Sequence, residues 1–395
     1  MYNTMQDKDM IKVLYDEGGF LMPHGGVSRY FVEMIKRLPD DIKPKLAMES
    51  TSNVYLQQSP FNLPPHKQTV HDFIAKTLHG HSFRGVSHVY KMLAQLMPRR
   101  FPSGELANER IFMSELKKGD FDILHLTGPH PVNNNWKSVV GRKPIVATVH
   151  DLIPEIVCGD TRVRKSRERL LKDATHIIAV SGNTKNDIMR LYGTPESKIT
   201  VIYHGYLPVD VSGIKPFQSD KPYLLYVGKR DGYKRFDFFV HAVAPLLRSG
   251  DLRLFCTGTP FTENEQCILV KLGISDRVVQ RFVTDEEMMA LFAGAVAFVY
   301  PSEYEGFGIP ILDAFSLGCP VVLSECSCFP EVAGNAALYF KKNDEDSLRL
   351  CIDTLLRDEG VRFRKIRLGL ERVKLFSWDK CANETANIYL RVNGE

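Results

Sequence analysis

The sequence lacks any long hydrophobic run, and its first ten residues are polar, without the apolar core of a signal peptide. No apolar stretch approaches the ~20 residues that a transmembrane helix needs. We therefore predict a cytoplasmic protein without a membrane span. A strong charge of either sign is also lacking, since the net charge is +4 over 395 residues. Nucleic-acid binding is not indicated, because it needs clustered Lys and Arg with aromatic platforms.

Cysteine pairs with a metal or redox spacing are missing as well. The eight cysteines are scattered along the chain, as reduced thiols of a cytosolic protein would be. The closest pair, Cys326 and Cys328, has a spacing that fits neither a zinc site nor a redox motif. No histidine pairs with another histidine or a carboxylate at a metal-ligand spacing. We therefore predict neither a metal nor a cofactor.

The sequence does contain a repeated alternation of strand-like and helix-like segments. A chain of 395 residues is too long for one ordinary core. The periodicity is lost at 208–221, where Pro208, Gly213 and Pro216 indicate a linker. We predict an α/β protein with two doubly wound domains, 1–207 and 222–377. The predicted buried strands are 11–16, 121–126, 145–149, 176–181 and 198–203, then 223–227, 252–257, 278–282, 295–300 and 321–324.

A strand, a glycine loop and a helix follow one another between residues 295 and 318. Gly306 and Gly308 free the loop of side-chain bulk, and Pro310 suits the first turn of a helix. The helix N-terminus would bind an anion such as a diphosphate. Glu305 and Asp313 would repel an anion, but carboxylates are strong acceptors for ribose and sugar hydroxyls. The combination indicates a sugar nucleotide, although an ordinary turn with two solvated acids has the same pattern.

This stretch resembles the C-terminal signature of the retaining GT-B glycosyltransferases of family four. It reads Ser-x-x-Glu-Gly-Phe-Gly-x-Pro from Ser302 to Pro310, has seven residues between its two acids, and continues with Gly-x-Pro-Val from Gly318. The resemblance implies two Rossmann-like domains that face each other across a cleft, the GT-B fold. It also implies a last helix, 378–395, that crosses back to pack on the N-terminal, acceptor-side domain.

The same resemblance implies a role for each residue that matches the family pattern. Glu305 would bind hydroxyls of the donor sugar, and Asp313, where the family usually has Glu, would bind the ribose. Lys234 matches the Lys that holds the diphosphate. Lys229 stands where the family has Arg, with Arg230 one residue further on, and we favour Arg230 because a guanidinium can bind two oxygens. The other donor-site residues carried over are Gly25, Gly26, Gly306, Phe307, Gly308 and Glu331.

Histidines lie at or after the ends of two predicted strands in the first domain. His150, in Thr-Val-His-Asp, resembles the family His that contacts the transferred sugar. A His at a strand end is often only a hydrogen-bonded structural residue, and His125 and His130 are explained equally well in that way.

A run of cationic residues in the first domain has helical spacing. A basic face of this kind would allow contact with an anionic membrane that carries a lipid-linked acceptor. A solvated face is the commoner arrangement, however. Residues 50–119 lie where family members differ most, so we expect them to shape the acceptor side. The cationic residues of the run are Arg162, Arg164, Lys165, Arg167, Arg169 and Lys172.

The reaction implied by the resemblance is transfer of a hexosyl unit, of the mannosyl or glucosyl type, with retention at the anomeric carbon. The donor would be a UDP- or GDP-linked sugar, and the acceptor a glycan or lipid-linked glycan of surface-polysaccharide synthesis. Cations and a helix N-terminus would stabilise the leaving diphosphate without a metal. A sugar-nucleotide epimerase of the same architecture and a non-catalytic sugar-nucleotide-binding protein stay open. The residues identify neither the base, the sugar nor the acceptor.

Overall fold

The computed structural model describes residues 10–65, 104–128, 136–207, 213–230 and 232–394. These residues form two six-stranded sheets in which every pair of neighbouring strands is parallel. The first sheet has the order β2-β1-β3-β4-β5-β6, with β1 Ile11–Tyr15, β2 Ile42–Leu46, β3 Ile123–Leu126, β4 Ile145–Val149, β5 His176–Ala179 and β6 Ile199–Val201. The second has the order β12-β11-β10-β7-β8-β9, with β7 Tyr223–Tyr226, β8 Arg253–Thr257, β9 Val278–Arg281, β10 Ala297–Tyr300, β11 Val321–Ser324 and β12 Leu338–Phe340.

Each sheet is covered on both faces, which explains why its central strands are apolar throughout. In β1, Val13 and Tyr15 belong to one hydrophobic core and Leu14 to another. In β10, Phe298 and Val299 are likewise divided between two cores. The predicted α/β class with two doubly wound units is therefore confirmed.

Helices provide the crossovers between the parallel strands. In the first half they are α1 Gly26–Ile35, α2 Val54–Gln57, α3 Gly104–Lys118, α4 Trp136–Val140, α5 Ile153–Ile156, α6 Thr161–Asp173 and α7 Gly182–Tyr192. In the second half they are α8 Phe236–Arg248, α9 Glu263–Lys271, α10 Asp285–Gly294, α11 Ile309–Ser316, α12 Phe329–Ala333, α13 Glu345–Arg357 and α14 Glu359–Val373, followed by α15 Trp378–Gly394.

The sequence reading missed β2, which pairs with β1 alone among the strands described. Pro44 lies inside it, and Lys43 and Lys45 flank the proline. Proline and lysine are typical of an edge strand, because such a strand needs backbone hydrogen bonds on one side only. These residues hide the apolar periodicity on which strand prediction depends.

The last helix, α15, packs on the first sheet although it follows the second sheet in the chain. Trp378, Cys381 and Tyr389 share a buried core with Val13 and Phe31. The chain crosses between the halves where Tyr206 pairs with Ser377. A Cβ on Gly205 would lie 2.2 Å from the backbone N of Trp378, so only glycine fits at this crossing.

In each sheet the strand order reverses at the first strand of that half, β1 or β7. In the first sheet the chain moves from β1 outward to β2 and then returns to β3 on the other side of β1. In the second sheet β8 and β10 lie on opposite sides of β7. Ligands of doubly wound sheets bind outside the carboxyl ends of the strands at such switch points. The loops after β1, β7 and β10 are therefore placed where a shared ligand would bind.

Candidate active site

A cavity of about 430 Å³ lies between the two halves at these switch points. Its volume suits a ligand of nucleotide-sugar size, since small-molecule sites span roughly 300–1,000 Å³. The first half contributes Gly25, Gly26, Val27, Arg29, Tyr55, His150, Asp151, Ile153 and His204. The second half contributes Tyr233, Tyr300, Glu305, Gly306, Phe307, Gly308, Ile309 and Pro310. Seven residues predicted for the site from sequence are thus brought together: Gly25, Gly26, His150, Glu305, Gly306, Phe307 and Gly308.

Two glycines allow the halves to approach this closely. A Cβ on Gly306 would lie 1.8 Å from the backbone O of His150. A Cβ on Gly26 would lie 2.9 Å from the Cδ1 of Ile309. The glycine loop of the second half therefore touches the first half directly, which the sequence motif alone does not show.

The N-terminus of α11 opens into the cavity. Gly308 precedes the helix with φ 89°, a left-handed conformation that favours glycine, and no side chain caps the first turn. Pro310 occupies the first turn, where its missing N–H costs nothing. The free N–H groups of the helix start and its dipole are suited to an anion.

Lys234 and Glu305 form an ion pair beside this helix terminus. Lys234 Nζ donates to Glu305 Oε1 at 2.5 Å and to the hydroxyl of Tyr300 at 3.1 Å. The two side chains are only 15% and 10% exposed, so the pair is largely shielded from water. Ser327 fixes the backbone of Glu305, since its Oγ accepts from Glu305 N at 3.1 Å and donates to Glu305 O at 2.7 Å. The second half thus holds one cation and one carboxylate within hydrogen-bonding distance of each other.

His150 faces the cavity from the first half as a neutral imidazole. Burial, and to a smaller degree the positive charge of Arg167, lower the pKa of His150 to about 3. Neither ring nitrogen has a hydrogen-bond partner among the described residues. Tyr30 and Phe31 pack edge-on against the ring at 5.0 and 5.4 Å between centroids. A fixed, neutral ring with two unused nitrogens can donate to one ligand oxygen and accept from another.

A second buried histidine, His204, links the halves by stacking on Phe307 with the ring centroids 4.6 Å apart. Burial lowers the pKa of His204 well below its usual value, so this ring is also neutral. His125 has a structural role instead, since its nitrogens bond to the hydroxyls of Tyr389 and Thr148 at 2.5 and 2.8 Å. His130 lies outside the described residues.

Arg230, which sequence reasoning favoured for the diphosphate, is turned away from the cavity. Its side chain is 3% exposed and paired with Glu265 at 2.6 Å. Its Nη2 also donates to the backbone O of Thr259 and of Pro260. Lys229 is exposed in the same loop. We therefore do not carry Arg230 forward as a phosphate ligand, because its Nε and Nη2 already bond to Glu265 and to the loop before α9, and its Nη1 is buried.

Asp313 lies in α11 close to Arg29 of the first half. Burial raises the pKa of Asp313 to about 6, although the positive charge of Arg29 opposes the shift. Asp313 is not among the described residues that line the cavity, whereas Arg29 is. The shorter Asp side chain in place of the family's Glu is consistent with this greater distance from the cavity.

Glu331 contacts the first half rather than the cavity. Its Oε1 accepts from Gly182 N at 2.6 Å and from the hydroxyl of Tyr203 at 2.8 Å. Its Oε2 accepts from Asn183 N at 3.2 Å. A carboxylate at the start of α7 satisfies N–H groups that the helix leaves unpaired. The structure thus places Glu331 in a contact between the halves.

Several cavity residues were missed from sequence. Arg29 follows Gly26 by one turn of α1, so helical spacing from the glycine pair could have found it. His204 lies three residues after β6, whereas His150 directly follows β4, and the argument that ligands bind at strand ends applies to both. Tyr55 and Tyr233 carry no local signal, because only the tertiary fold brings them to the cleft.

No cluster of three or more metal-ligating side chains occurs within the described ranges. In those ranges, likewise, no helix has the length and apolarity to cross a bilayer.

A cleft between two doubly wound sheets, with a helix N-terminus and a lysine-paired carboxylate at one wall, is the arrangement expected of a glycosyltransferase of the GT-B fold. Residues 24–207 match the profile of Glycosyltransferase Family 4, and residues 211–368 match that of Glycosyl transferases group 1. The chain belongs to this family.

Among curated proteins, the chain is 33% identical over 265 residues to O-antigen chain mannosyltransferase B of Escherichia coli, covering 62% of this chain and 69% of that protein. It is 32% identical over 224 residues to O-antigen chain mannosyltransferase RfbU of Salmonella typhimurium, covering 55% of this chain and 62% of that protein. Among solved structures, Anabaena Alr3699/HepE in complex with UDP-glucose superposes with a TM-score of 0.67 at 17% identity, covering 97% of this chain and 99% of that chain. The last similarity concerns the fold.

Proposed function

We propose that this glycosyltransferase transfers a hexosyl unit from a nucleotide sugar to a hydroxyl of a glycan or lipid-linked glycan, with retention at the anomeric carbon. One observation carries the proposal: the free N-terminus of α11 and Glu305, which is paired with Lys234, lie together at one wall of the cleft between the halves. The helix N-terminus and Lys234 suit a diphosphate, and Glu305 suits the hydroxyls of a sugar. The neutral His150 on the opposite wall suits an uncharged pyranose.

In the proposed reaction, the bond between the anomeric carbon and the β-phosphate oxygen breaks, and a bond from that carbon to the acceptor oxygen forms on the same face. The acceptor proton goes to the departing diphosphate, so atoms and charge balance without a further reactant. Lys234, already held beside the helix terminus, stabilises the negative charge that develops on the diphosphate, and the N–H groups of α11 stabilise the same charge. Glu305 accepts from hydroxyls of the donor sugar.

The proposed sugar is mannose, because the two curated relatives described above are O-antigen mannosyltransferases. The structural relative was solved with UDP-glucose, so a glucosyl donor is the second candidate. Surface-polysaccharide synthesis is the proposed setting for either donor.

A thermal-shift comparison of GDP, UDP, GDP-mannose and UDP-glucose tests the donor site. A ligand that binds only the folded form at 100 times its Kd raises the unfolding free energy by about 2.7 kcal/mol. We expect GDP and GDP-mannose to raise the melting temperature more than their uridine counterparts. Absence of a shift with all four compounds would contradict the proposal.

Product analysis then separates the alternative activities. A transferase releases nucleoside diphosphate faster when glycoside acceptors are added, whereas an epimerase converts the sugar nucleotide without an acceptor. Binding without turnover under either condition would indicate a sugar-nucleotide-binding protein. We expect acceptor-dependent release of the diphosphate.

A further inference from the structure

A second cavity of about 280 Å³ opens beside the first, within the N-terminal half. It shares Val27, His150 and Asp151 with the donor cavity, so a ligand bound in it would lie next to the proposed donor sugar. Its volume falls just below the roughly 300–1,000 Å³ of drug-sized sites. A single sugar residue suits this space better than an oligosaccharide does.

Arg167 is a buried cation that lines this cavity. It belongs to the basic run of α6, but its side chain is 5% exposed, whereas Arg164 and Arg169 on the same helix are exposed. Its Nε donates to Glu155 Oε1, which also accepts from the hydroxyl of Tyr192 at 3.0 Å. No described residue accepts a hydrogen bond from its Nη1 or Nη2. A buried guanidinium held at Nε and without partners at both Nη atoms is arranged to bind a ligand.

Two carboxylates line the same cavity as this guanidinium, and a third is bonded to it. Asp151 and Glu17 line the same cavity, and Glu155 is bonded to Arg167. Among the described lining residues, Arg167 is the one cation, since His150 is neutral. Two lining carboxylates and Glu155 therefore outnumber a single positive charge. A phosphate or carboxylate that enters this cavity meets net negative charge, whereas a hydroxyl can donate to the carboxylates and accept from the guanidinium.

We propose that this cavity holds the acceptor as a single uncharged sugar residue and that the Nη groups of Arg167 bind two of its neighbouring hydroxyl oxygens. The inference rests on the proposed transferase function and adds the chemical class of the acceptor to it. Val27, His150 and Asp151 form the shared wall across which the acceptor hydroxyl reaches the donor sugar.

A panel of glycosides tests the charge selection on the unmodified protein. Initial rates are measured with octyl α-mannoside and octyl α-glucoside, and with the 6-phosphate and 6-carboxylate derivatives of each. We expect kcat/KM for the neutral glycosides to exceed that for the charged ones at least tenfold. Charged glycosides that react as well as neutral ones, or better, would overturn the proposal.

Arg167→Lys tests the binding residue. Lysine keeps a positive charge near Glu155 but loses the planar pair of donors. We expect the acceptor KM to rise about tenfold, while the thermal shift produced by GDP or UDP stays within its wild-type range. Arg169→Lys, an exposed arginine on the same helix, is the matched control and should change neither quantity. An unchanged acceptor KM in Arg167→Lys, or an equal loss of nucleotide binding, would overturn the assignment.

A crystal soaked with nucleoside diphosphate and methyl α-mannoside or methyl α-glucoside provides a readout that needs no variant to fold. We expect sugar density between Arg167 and Asp151. Nucleotide density without any sugar in this cavity, together with failure of every glycoside in the panel to react, would overturn the acceptor proposal alone. Failure to bind any nucleotide would instead contradict the proposed function itself.

Discussion

Lys234 and Glu305, which we propose for charge stabilisation and sugar recognition, are in direct contact with each other. The two side chains form an ion pair, and Lys234 also donates a hydrogen bond to the hydroxyl of Tyr300. The ammonium therefore stays beside the helix terminus, where a diphosphate would replace Glu305 as its partner. A preorganised cation of this kind costs no reorganisation when charge develops on the leaving group.

Replacing Lys234 with Met should lower turnover on the order of 10²-fold, as loss of one preorganised donor does elsewhere. The variant should also lose about 1–3 kcal/mol of stability, because Glu305 is left buried without its partner. The double variant Lys234→Met/Glu305→Gln should recover stability but not turnover. Initial rates and urea unfolding measure both effects. Lys221→Ala is the control, because this exposed lysine precedes the N-terminal end of β7, away from the loop that carries Lys234. Normal turnover in Lys234→Met would refute the assigned phosphate loop.

Asp313 should make stability depend on pH. Its pKa in the folded protein is raised to about 6, whereas an unfolded Asp has a pKa of about 3.9. Between these values the native state binds more protons, so the unfolding free energy falls as pH rises from about 4 to 6. Asp313→Asn cannot ionise, so its melting temperature should match the wild type near pH 4 and exceed it above pH 6.

The difference between the two melting curves isolates this carboxyl from other titrating groups. Asp251→Asn, in which the replaced side chain is 83% exposed, serves as the control. A difference that stays flat across pH 4 to 7 would show that Asp313 does not have the raised pKa. Measured in parallel, nucleotide affinity should fall in Asp313→Asn if this carboxyl binds the ribose.

At the scale of elements, α7 connects the two halves through its first two turns. Glu331 binds the N–H groups of Gly182 and Asn183, and the hydroxyl of Tyr304 donates to Asp187 of the same helix at 2.8 Å. Both contacts join side chains of the second half to one helix of the first. They are therefore formed only when the halves are close together.

Glu331→Gln should weaken this contact, because an amide has one acceptor oxygen and no charge to interact with the helix dipole. Such charge–dipole interactions contribute about 0.3–2 kcal/mol. We expect a larger radius of gyration in small-angle scattering and a higher KM for the donor. Adding Tyr304→Phe should enlarge both changes. Glu325→Gln, an exposed carboxylate nearby, is the control, and unchanged scattering in the double variant would show that these contacts do not hold the halves together.

At the scale of the whole molecule, the proposed activity requires the two halves to meet at the cleft. A Cβ on Gly306 would overlap the backbone O of His150 at 1.8 Å, so Gly306→Ala should keep the halves apart without disturbing either core. A misplacement of about 1 Å in an active site can cost about 10²-fold in rate. We expect that loss in kcat/KM with circular dichroism unchanged. Gly213→Ala, where a Cβ would meet nothing within 4 Å, should behave like the wild type.

How far the sequence predicts the structure depends on whether the signal is local. Most strands could be predicted because both faces are buried, as in Ile145–Val149, where prediction and structure coincide. The glycine loop with Glu305 was found by its motif. Arg230 could not be placed, because its partner Glu265 lies 35 residues further along the chain and no local pattern shows their contact. Arg167 looked like any other member of a basic run until the fold buried it.

The crossing of α15 also determines how this protein can be divided. Tyr389 hydrogen-bonds to Tyr15 and His125 inside the first half, so a fragment that ends at residue 207 would lack part of its own interior. A chimaera that takes its acceptor-side half from a relative must therefore bring the relative's final helix too. The smallest unit that can be exchanged is therefore encoded by two separate segments, the first half and the final helix. Chimaeras joined only at the linker should yield insoluble protein.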